Sequence, residues 1–246
     1  MKITSVNNDL VKETAKLLKS KYREESGLFL IEGDKGVKEA LQSGLVVEHI
    51  FVLEGFSDYP EEITIETSEA VLSKISDAKS APKVVAVAKQ PKIDSTTLKN
   101  AKKVILLENI KDAGNLGTIL RTASAFNYDA VVLYGDTVDL YNPKCVRSAV
   151  GNLWKKPVVR IKDFNELKNI FNTYERIATL PKNENVINLK EFKPSERMLI
   201  MFGSEADGLT EQLKVFATKN LTIEMESEVE SLNLSVSAAV IMYQLR

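Results

Sequence analysis

Three apolar segments, ending in asparagine or glycine, constrain the fold of this chain more than any other feature. KVILLEN (103–109), DAVVLYG (129–135) and RMLIMFG (197–203) lack the apolar–polar alternation expected of a strand with one face in water. Such uniformly apolar strands are typical of a parallel sheet that helices cover on both faces. Segments with helical apolar periodicity, such as 115–127, lie between them. The pattern therefore predicts an α/β fold with a parallel sheet.

A shorter α/β pattern precedes a polar segment that we interpret as a linker. Upstream of this segment, strand-like and helix-like stretches alternate on a smaller scale. The stretch QPKIDSTTLKN (90–100) contains a proline and has no apolar periodicity. A length of 246 residues is sufficient for two modest domains. We therefore predict a small domain over 1–92, a linker over 93–100 and a larger domain over 101–246.

The composition excludes several classes of protein and of site. The chain has one cysteine and one histidine, which excludes a disulfide scaffold and a histidine metal cluster. We therefore expect no metal. No apolar run approaches the length of about 18 residues that a membrane span needs, and the first residues lack a signal-peptide core. We expect a cytoplasmic protein without membrane association.

Positive charge is concentrated at the start of the chain. The net charge is −1, yet residues 1–23 alone carry +4 and the remaining residues carry −5. This basic segment is a candidate contact for nucleic-acid phosphates. The structural alternative is a solvated helix face.

The first unusual strand end follows segment 103–109. Ligands of parallel α/β sheets bind at the carboxyl ends of the strands. Here a short loop leads into a helix for which Asn115 is a candidate N-cap. Arg121 lies six residues further on in the same helix, away from its apolar stripe. The structural alternative for Arg121 is an ordinary surface arginine.

Two further strand ends or helix starts carry residues of the same kind. In MFGSEADGLT (201–210), an apolar strand runs into a loop that contains Gly203 and Glu205. In ESLNLSVSAAVIMYQL (230–245), Ser231 is a candidate helix cap and Asn233 lies close to the start of that helix. Taken singly, these are also readable as a glycine turn and an ordinary capped helix.

Taken together, in this order and spacing, the segments resemble the three motifs of the SpoU (TrmH-like) branch of the SPOUT RNA methyltransferases. The matching segments are NIKDAGNLGTILRTASAF (109–126), MLIMFGSEADGL (198–209) and LTIEMESEVESLNLSVSAA (221–239). DLYNPKCVRSAVG (139–151) resembles the loop between the first two motifs. YREESGLFLIEGDKGVKEAL (22–41) resembles the family's substrate-binding domain, which is similar to ribosomal protein L30e. The resemblance covers nearly the whole chain.

The resemblance implies a fold, an activity and partners. It implies a C-terminal SPOUT domain with a deep trefoil knot, a rare exception to the rule against threaded chains. It implies S-adenosylmethionine-dependent 2′-O-methylation of a ribose in structured RNA, with rRNA favoured and tRNA possible. It also implies a homodimer formed through the SPOUT domain, and an L30e-like domain that binds the RNA.

Motif matching also carries the family's site residues onto this chain. The resemblance implies that the cofactor is bound by Thr179, Gly203, Ile223, Met225 and Leu232. It implies that the catalytic or substrate-contacting residues are Arg121, Asn115, Glu205, Ser231 and Asn233. Because a guanidinium group stays protonated at ordinary pH, we favour the hypothesis that Arg121 stabilises the developing alkoxide rather than removing its proton.

Two positions depart from the family's pattern and keep an alternative open. Ala113 and Glu224 stand where many relatives have proline, the second of these in an Ile-Pro-Met triplet. Loss of the second proline loosens a loop that would wrap the cofactor and places a carboxylate beside it. Glu224 therefore favours the alternative of a catalytically inactive RNA-binding relative. A Rossmann-type oxidoreductase is disfavoured, because no GxGxxG follows segment 103–109.

Overall fold

The chain forms two compact units in the computed structural model. The N-terminal unit comprises Met1–Lys92 and Asp139–Lys155, and the C-terminal unit comprises Ile93–Val138 and Lys156–Arg246. The structure describes residues 1–56, 58–182, 185–226 and 231–246. Across these residues, we find no helix with the length and apolarity that a membrane span requires.

The N-terminal unit is built on a mixed sheet with the spatial order β1-β4-β3-β5-β2. Its strands are β1 (Lys2–Ile3), β2 (Leu28–Glu32), β3 (Val47–Leu53), β4 (Thr64–Thr67) and β5 (Val84–Lys89). Its helices are α1 (Asp9–Lys16), α2 (Ser20–Ser26), α3 (Asp34–Gln42), α4 (Glu69–Lys74), α6 (Pro143–Ala149) and a short 3₁₀ helix at Glu61–Ile63. Strand β5 runs antiparallel to both of its neighbours, while β4 runs parallel to β1 and β3.

Five of the six positive side chains in residues 1–23 lie beside carboxylates of the protein. Four of its lysines form ion pairs with carboxylates: Lys2 with Glu54, Lys12 with Asp9, Lys16 with Glu13 and Lys21 with Glu25. Arg23 is buried, with 2% of its surface exposed. Most of the positive charge therefore has a partner within the protein.

Arg23 ties residues 139–155 into the N-terminal unit. Its Nε and Nη2 lie 2.7 and 2.5 Å from a carboxylate oxygen of Asp139, and its Nη1 donates to the Leu17 carbonyl at 2.7 Å. This last bond satisfies the carbonyl of Leu17, the C-cap residue of α1. The aromatic rings of Phe29 and Tyr141 pack with their centroids 4.6 Å apart. Residues 139–155, which include α6, thus pack into the core of the N-terminal unit although they follow its other elements in sequence.

The C-terminal unit is built on a wholly parallel sheet within the described residues, with the order β10-β12-β9-β11-β6-β7-β8. Its strands are β6 (Lys103–Glu108), β7 (Ala130–Tyr134), β8 (Val158–Ile161), β9 (Glu175–Thr179), β10 (Ile187–Asn188), β11 (Met198–Phe202) and β12 (Lys219–Thr222). Its helices are α5 (Ala113–Ala125), α7 (Phe164–Phe171), α8 (Glu211–Phe216), α9 (Leu234–Gln244) and a 3₁₀ helix at Ser95–Leu98. The predicted α/β fold with a parallel sheet is confirmed, while the trefoil knot stays a prediction.

The central strands of this sheet bring the candidate loops together. β6 and β11 pair from Lys103↔Met198 to Leu107↔Phe202, and β7 pairs along the other side of β6. Leu106 and Met201 lie in the buried core of this unit. The loops after β6 and β11 therefore leave the sheet side by side at its carboxyl edge. Strand β12 ends at Thr222, so Ile223 and Met225 follow the strand.

Removal of the Asp139 carboxylate tests the role of the buried ion pair. We expect Asp139→Ala to lower the free energy of unfolding by about 3 kcal/mol, because it leaves the Arg23 guanidinium buried without a counter-charge. Urea denaturation measures the change. Asp136→Ala is the matched control, because Asp136 forms an exposed ion pair with Lys111; it should change stability little. Equal effects of the two variants would contradict this role of Asp139.

Candidate active site

Three of the predicted site residues form a continuous chain of hydrogen bonds. The Asn115 amide nitrogen donates to the Glu205 carboxylate at 2.5 Å, and the Asn233 amide nitrogen donates to the Asn115 amide oxygen at 3.1 Å. These residues come from α5, from the loop after β11 and from the start of α9. Two segments more than 80 residues away from Asn115 in sequence thus meet at one side chain.

The caps of α5 and α9 explain why these amides are free to meet. Asp112, not Asn115, is the N-cap of α5, and its carboxylate accepts from the Asn115 backbone N–H at 2.8 Å. Asn233, not Ser231, is the N-cap of α9, and its amide oxygen accepts from the Ser235 N–H at 2.9 Å. Both predicted caps are therefore wrong. Asp112 releases the side chain of Asn115 from capping, and Asn233 caps with its oxygen while its nitrogen reaches Asn115.

The orientation of both amides follows from their partners. A carboxylate only accepts hydrogen bonds, so the nitrogen of Asn115 faces Glu205 and its oxygen faces away. The oxygen of Asn233 faces the N–H groups at the start of α9, so its nitrogen faces the oxygen of Asn115. Each of the two amide nitrogens donates to an oxygen of the next residue, which fixes the direction of the whole array.

Arg121 and Ser231 do not join this array. Arg121 lies exposed on α5, and within the described part of the chain it has neither a hydrogen bond nor an ion pair. Ser231 is exposed just before α9. A guanidinium group without a protein partner is available to an anionic group outside the protein.

Glu108 anchors the loop that carries Glu205. Only 1% of Glu108 is exposed, and its two carboxylate oxygens accept from the Thr210 backbone N–H and hydroxyl, each at 2.7 Å. Thr210 closes the loop after β11 and is the N-cap residue of α8. Burial, together with the nearby Glu108 carboxylate, raises the pKa of Tyr134. Glu108 was not among the predicted site residues, although a charged residue at the end of an apolar strand was a usable signal.

Gly203 is required by the loop itself. Ser204 and Gly208 exchange backbone hydrogen bonds of 3.2 and 3.0 Å across this tight loop. A Cβ atom on Gly203 would lie 2.0 Å from the Gly208 carbonyl carbon. The backbone therefore approaches too closely for any side chain at this position. This is a structural reason for glycine, beside the cofactor role that the motif implies.

Of the four remaining predicted cofactor residues, three lie at or just beyond strand ends of the C-terminal unit and the fourth precedes a helix. Thr179 ends β9, and its hydroxyl donates to the Met201 carbonyl on the neighbouring strand at 2.9 Å. Ile223 and Met225 follow β12, and Leu232 precedes α9. All four are half-buried. No group of three or more His, Cys, Asp or Glu side chains in the described residues is arranged to hold a metal ion.

Two family models match this chain along most of its length. The model of the SpoU rRNA methylase family matches residues 102–243. The chain belongs to this family. The model of the MRM3-like substrate-binding domain matches residues 8–86. The resemblance inferred from the motifs is thereby confirmed, as is the presence of an N-terminal substrate-binding domain.

Individual SpoU proteins are similar over almost the full length. The chain is 34% identical over 255 residues to the 23S rRNA (guanosine(2553)-2′-O)-methyltransferase RlmP of Bacillus subtilis, which covers 99% of this chain and 98% of that one. A solved structure described as an RNA 2′-O ribose methyltransferase superposes with a TM-score of 0.82 at 30% identity, covering 99% of this chain and 97% of that one.

The fold is also similar to that of a SpoU methyltransferase solved with its cofactor. AviRb from Streptomyces viridochromogenes, in complex with AdoMet, superposes with a TM-score of 0.86 and covers 97% of both chains. At 23% identity, this likeness shows the fold alone.

The Glu108 anchor is tested through its partner. We expect Thr210→Val to lower the free energy of unfolding by about 1–3 kcal/mol, because it leaves one oxygen of a buried carboxylate without a hydrogen bond. Urea denaturation measures the loss. Thr97→Val is the matched control, because it removes an exposed threonine hydroxyl that donates to the Asp94 carbonyl. A loss no larger than that of Thr97→Val would show that Glu108 does not anchor the loop.

Proposed function

We propose that this protein transfers a methyl group from S-adenosylmethionine to the 2′-hydroxyl of a ribose in structured RNA. The array of Glu205, Asn115 and Asn233 is the observation that carries the proposal, because it holds oriented polar groups where the ends of β6 and β11 meet the start of α9. rRNA is favoured over tRNA, since the similar RlmP protein is named as a 23S rRNA methyltransferase. The alternative of a catalytically inactive RNA-binding relative is not favoured.

The residues proposed to hold the cofactor suit its chemistry. Three of them, Ile223, Met225 and Leu232, offer half-buried apolar side chains on which an adenine ring can pack. Thr179 and Gly203 would complete the set from the ends of two neighbouring strands. The structural neighbour AviRb was solved with AdoMet, which supports the same cofactor here. When bound, the cofactor supplies a methyl group on a positively charged sulfur.

The catalytic groups are assigned according to what each can do. A ribose hydroxyl is a very weak acid, so negative charge that develops on its oxygen needs stabilisation. Arg121 supplies a permanently charged fork that can face this oxygen or a neighbouring phosphate. Asn115, Asn233 and Glu205 are assigned to orient the ribose by hydrogen bonds, with Ser231 beside them. None of these roles requires a metal ion.

The wider organisation is part of the same proposal. In this proposal, residues 1–92 form an L30e-like domain that binds the RNA, and residues 93–100 link it to the larger domain. Residues 101–246 form a knotted SPOUT domain that transfers the methyl group, and the protein acts in the cytoplasm. A homodimer through the C-terminal domain is supported by the apolar side chains that α9 exposes: Val236, Val240 and Tyr243. A second copy of the chain would cover them.

Cofactor binding is the first test of the proposal. We expect calorimetric titration with S-adenosylmethionine to give a micromolar Kd, and Ile223→Arg to abolish binding by filling the apolar site with a charged side chain. Val215→Arg is the matched control on α8, where Val215 is 84% exposed, and it should bind normally. Absence of binding to the unaltered protein up to millimolar cofactor would favour the inactive RNA-binding alternative.

The role of Arg121 is tested by a change that preserves its charge. We expect Arg121→Lys to lower the rate of methyl transfer to 23S rRNA transcribed in vitro by about 100-fold, because an ammonium group lacks the planar fork. The Kd for the cofactor should not change. Arg197→Lys, at the amino end of β11, is the control and should keep full activity. An Arg121→Lys variant with most of its turnover would refute the need for the fork.

A further inference from the structure

The segment that follows β12 presents its side chains in alternation. Ile223 and Met225 are half-buried, whereas Glu224 between them is exposed. Burial thus alternates with a period of two, which groups Ile223 with Met225 and sets Glu224 apart from them. A contact that fixes Glu224 on the outer side therefore also fixes the direction in which Ile223 and Met225 point.

Glu224 has such a contact. Its carboxylate lies 3.0 Å from the ammonium group of Lys190, which follows the edge strand β10. Hydrogen bonds to the Glu224 carboxylate from Lys190 and then Asn188 lower its pKa. Both of these hydrogen-bond partners come from the β10 segment, and the Lys182 ammonium adds a further positive charge nearby.

Backbone pairing between the same two segments is short. β10 pairs with β12 only at Ile187↔Leu221 and Asn188↔Thr222, and the Leu189 N–H donates to the Thr222 carbonyl at 2.9 Å. The ladder ends there, directly before Ile223. The Lys190–Glu224 ion pair continues the connection by side chains where the backbone pairing stops.

We propose that Lys190 and Glu224 are a pair of positioning residues that hold the segment after β12 in the conformation that presents Ile223 and Met225 to the cofactor. The pair acts before the cofactor arrives, so that less conformational entropy is lost on binding. This inference rests on the proposed function, because that proposal assigns Ile223 and Met225 to the cofactor site. Neither Lys190 nor Glu224 is proposed to touch the cofactor or the RNA.

Because the Lys190–Glu224 ion pair is exposed, its effect on cofactor binding should depend on salt concentration. The side chains of Lys190 and Glu224 are 79% and 50% exposed, so dissolved salt screens their attraction. Cofactor affinity should therefore fall as salt rises, beyond any salt effect on the charged cofactor itself. A variant that lacks the ion pair should lose this additional dependence.

The first experiment compares cofactor affinity by calorimetry at low salt. We expect Lys190→Met and Glu224→Gln each to weaken S-adenosylmethionine binding by about three- to fivefold, the range open to an exposed ion pair. The exchanged pair, Lys190→Glu with Glu224→Lys, should restore the Kd to within about 1.5-fold. At about 1 M salt, where screening is nearly complete, all of these proteins should bind with similar affinity.

A matched control separates position from loss of charge. Lys102 forms an exposed ion pair with Glu196 at the amino end of β6, away from the strand ends that carry the site. Lys102→Met removes the same charge from the same kind of pair and should leave the Kd unchanged. An equal weakening by Lys102→Met and Lys190→Met would overturn the inference, because net charge alone would then explain the effect.

A second readout needs no cofactor and no RNA. Amide hydrogen exchange over residues 223–226 of the cofactor-free protein should become about threefold faster in Lys190→Met and return to its original rate in the exchanged pair. If the unaltered protein binds the cofactor while neither affinity nor exchange responds to these variants, the inference is wrong and the proposed function stands. If the protein binds no cofactor, the proposed function fails, and unchanged exchange would then refute the positioning role separately.

Discussion

The parallel pairing of β6 and β11 is the constraint on which the candidate site depends. Because these strands run in the same direction and end in register at Leu107 and Phe202, the loops that follow them begin side by side. Helix α5 begins just beyond one loop, and the other loop carries Glu205 to the side chain of Asn115. The buried Glu108 carboxylate, at the end of β6, then binds the far end of the second loop at Thr210. The position of the strands in the sheet and the buried Glu108 anchor thus bring the two loops of the candidate site together.

The parts of this arrangement that local patterns specify are predictable from the sequence. Uniformly apolar strands alternating with helices identify a parallel sheet, and its topology places ligands at the carboxyl ends. Motif order then identifies the family, and three of the five catalytic candidates meet as hydrogen-bond partners. The N-cap of α5 was harder to predict, because aspartate and asparagine, the residue types at 112 and 115, both favour the N-cap position. Only the structure shows that Asp112 caps and that Asn115 is released for the site.

Long-range polar partners are what sequence reasoning could not supply. Arg23 resembles its lysine neighbours in a basic helix, yet it pairs with Asp139, 116 residues away, in the interior of the N-terminal unit. Glu108 finds Thr210 over a separation of 102 residues. Local patterns register charge but not the partner that neutralises it, so a basic segment read as an RNA contact proves to be largely paired within the protein. The lysine pairs are exposed, so RNA phosphates can still compete for these lysines, whereas Arg23 is held in the interior.

Glu224 shows how a departure from a motif can change meaning once its partner is known. Without structure, a carboxylate in place of a stiff proline indicates a loosened loop and a weaker hold on the cofactor. With the Lys190 ammonium 3.0 Å away, the same carboxylate connects the loop to the segment that follows β10. Proline restricts a loop through its own backbone, whereas an ion pair restricts it through a second segment and only as strongly as the surrounding salt permits. The substitution thus replaces an intrinsic restraint with one that responds to ionic conditions, and it gives no reason to assign the chain to inactive relatives.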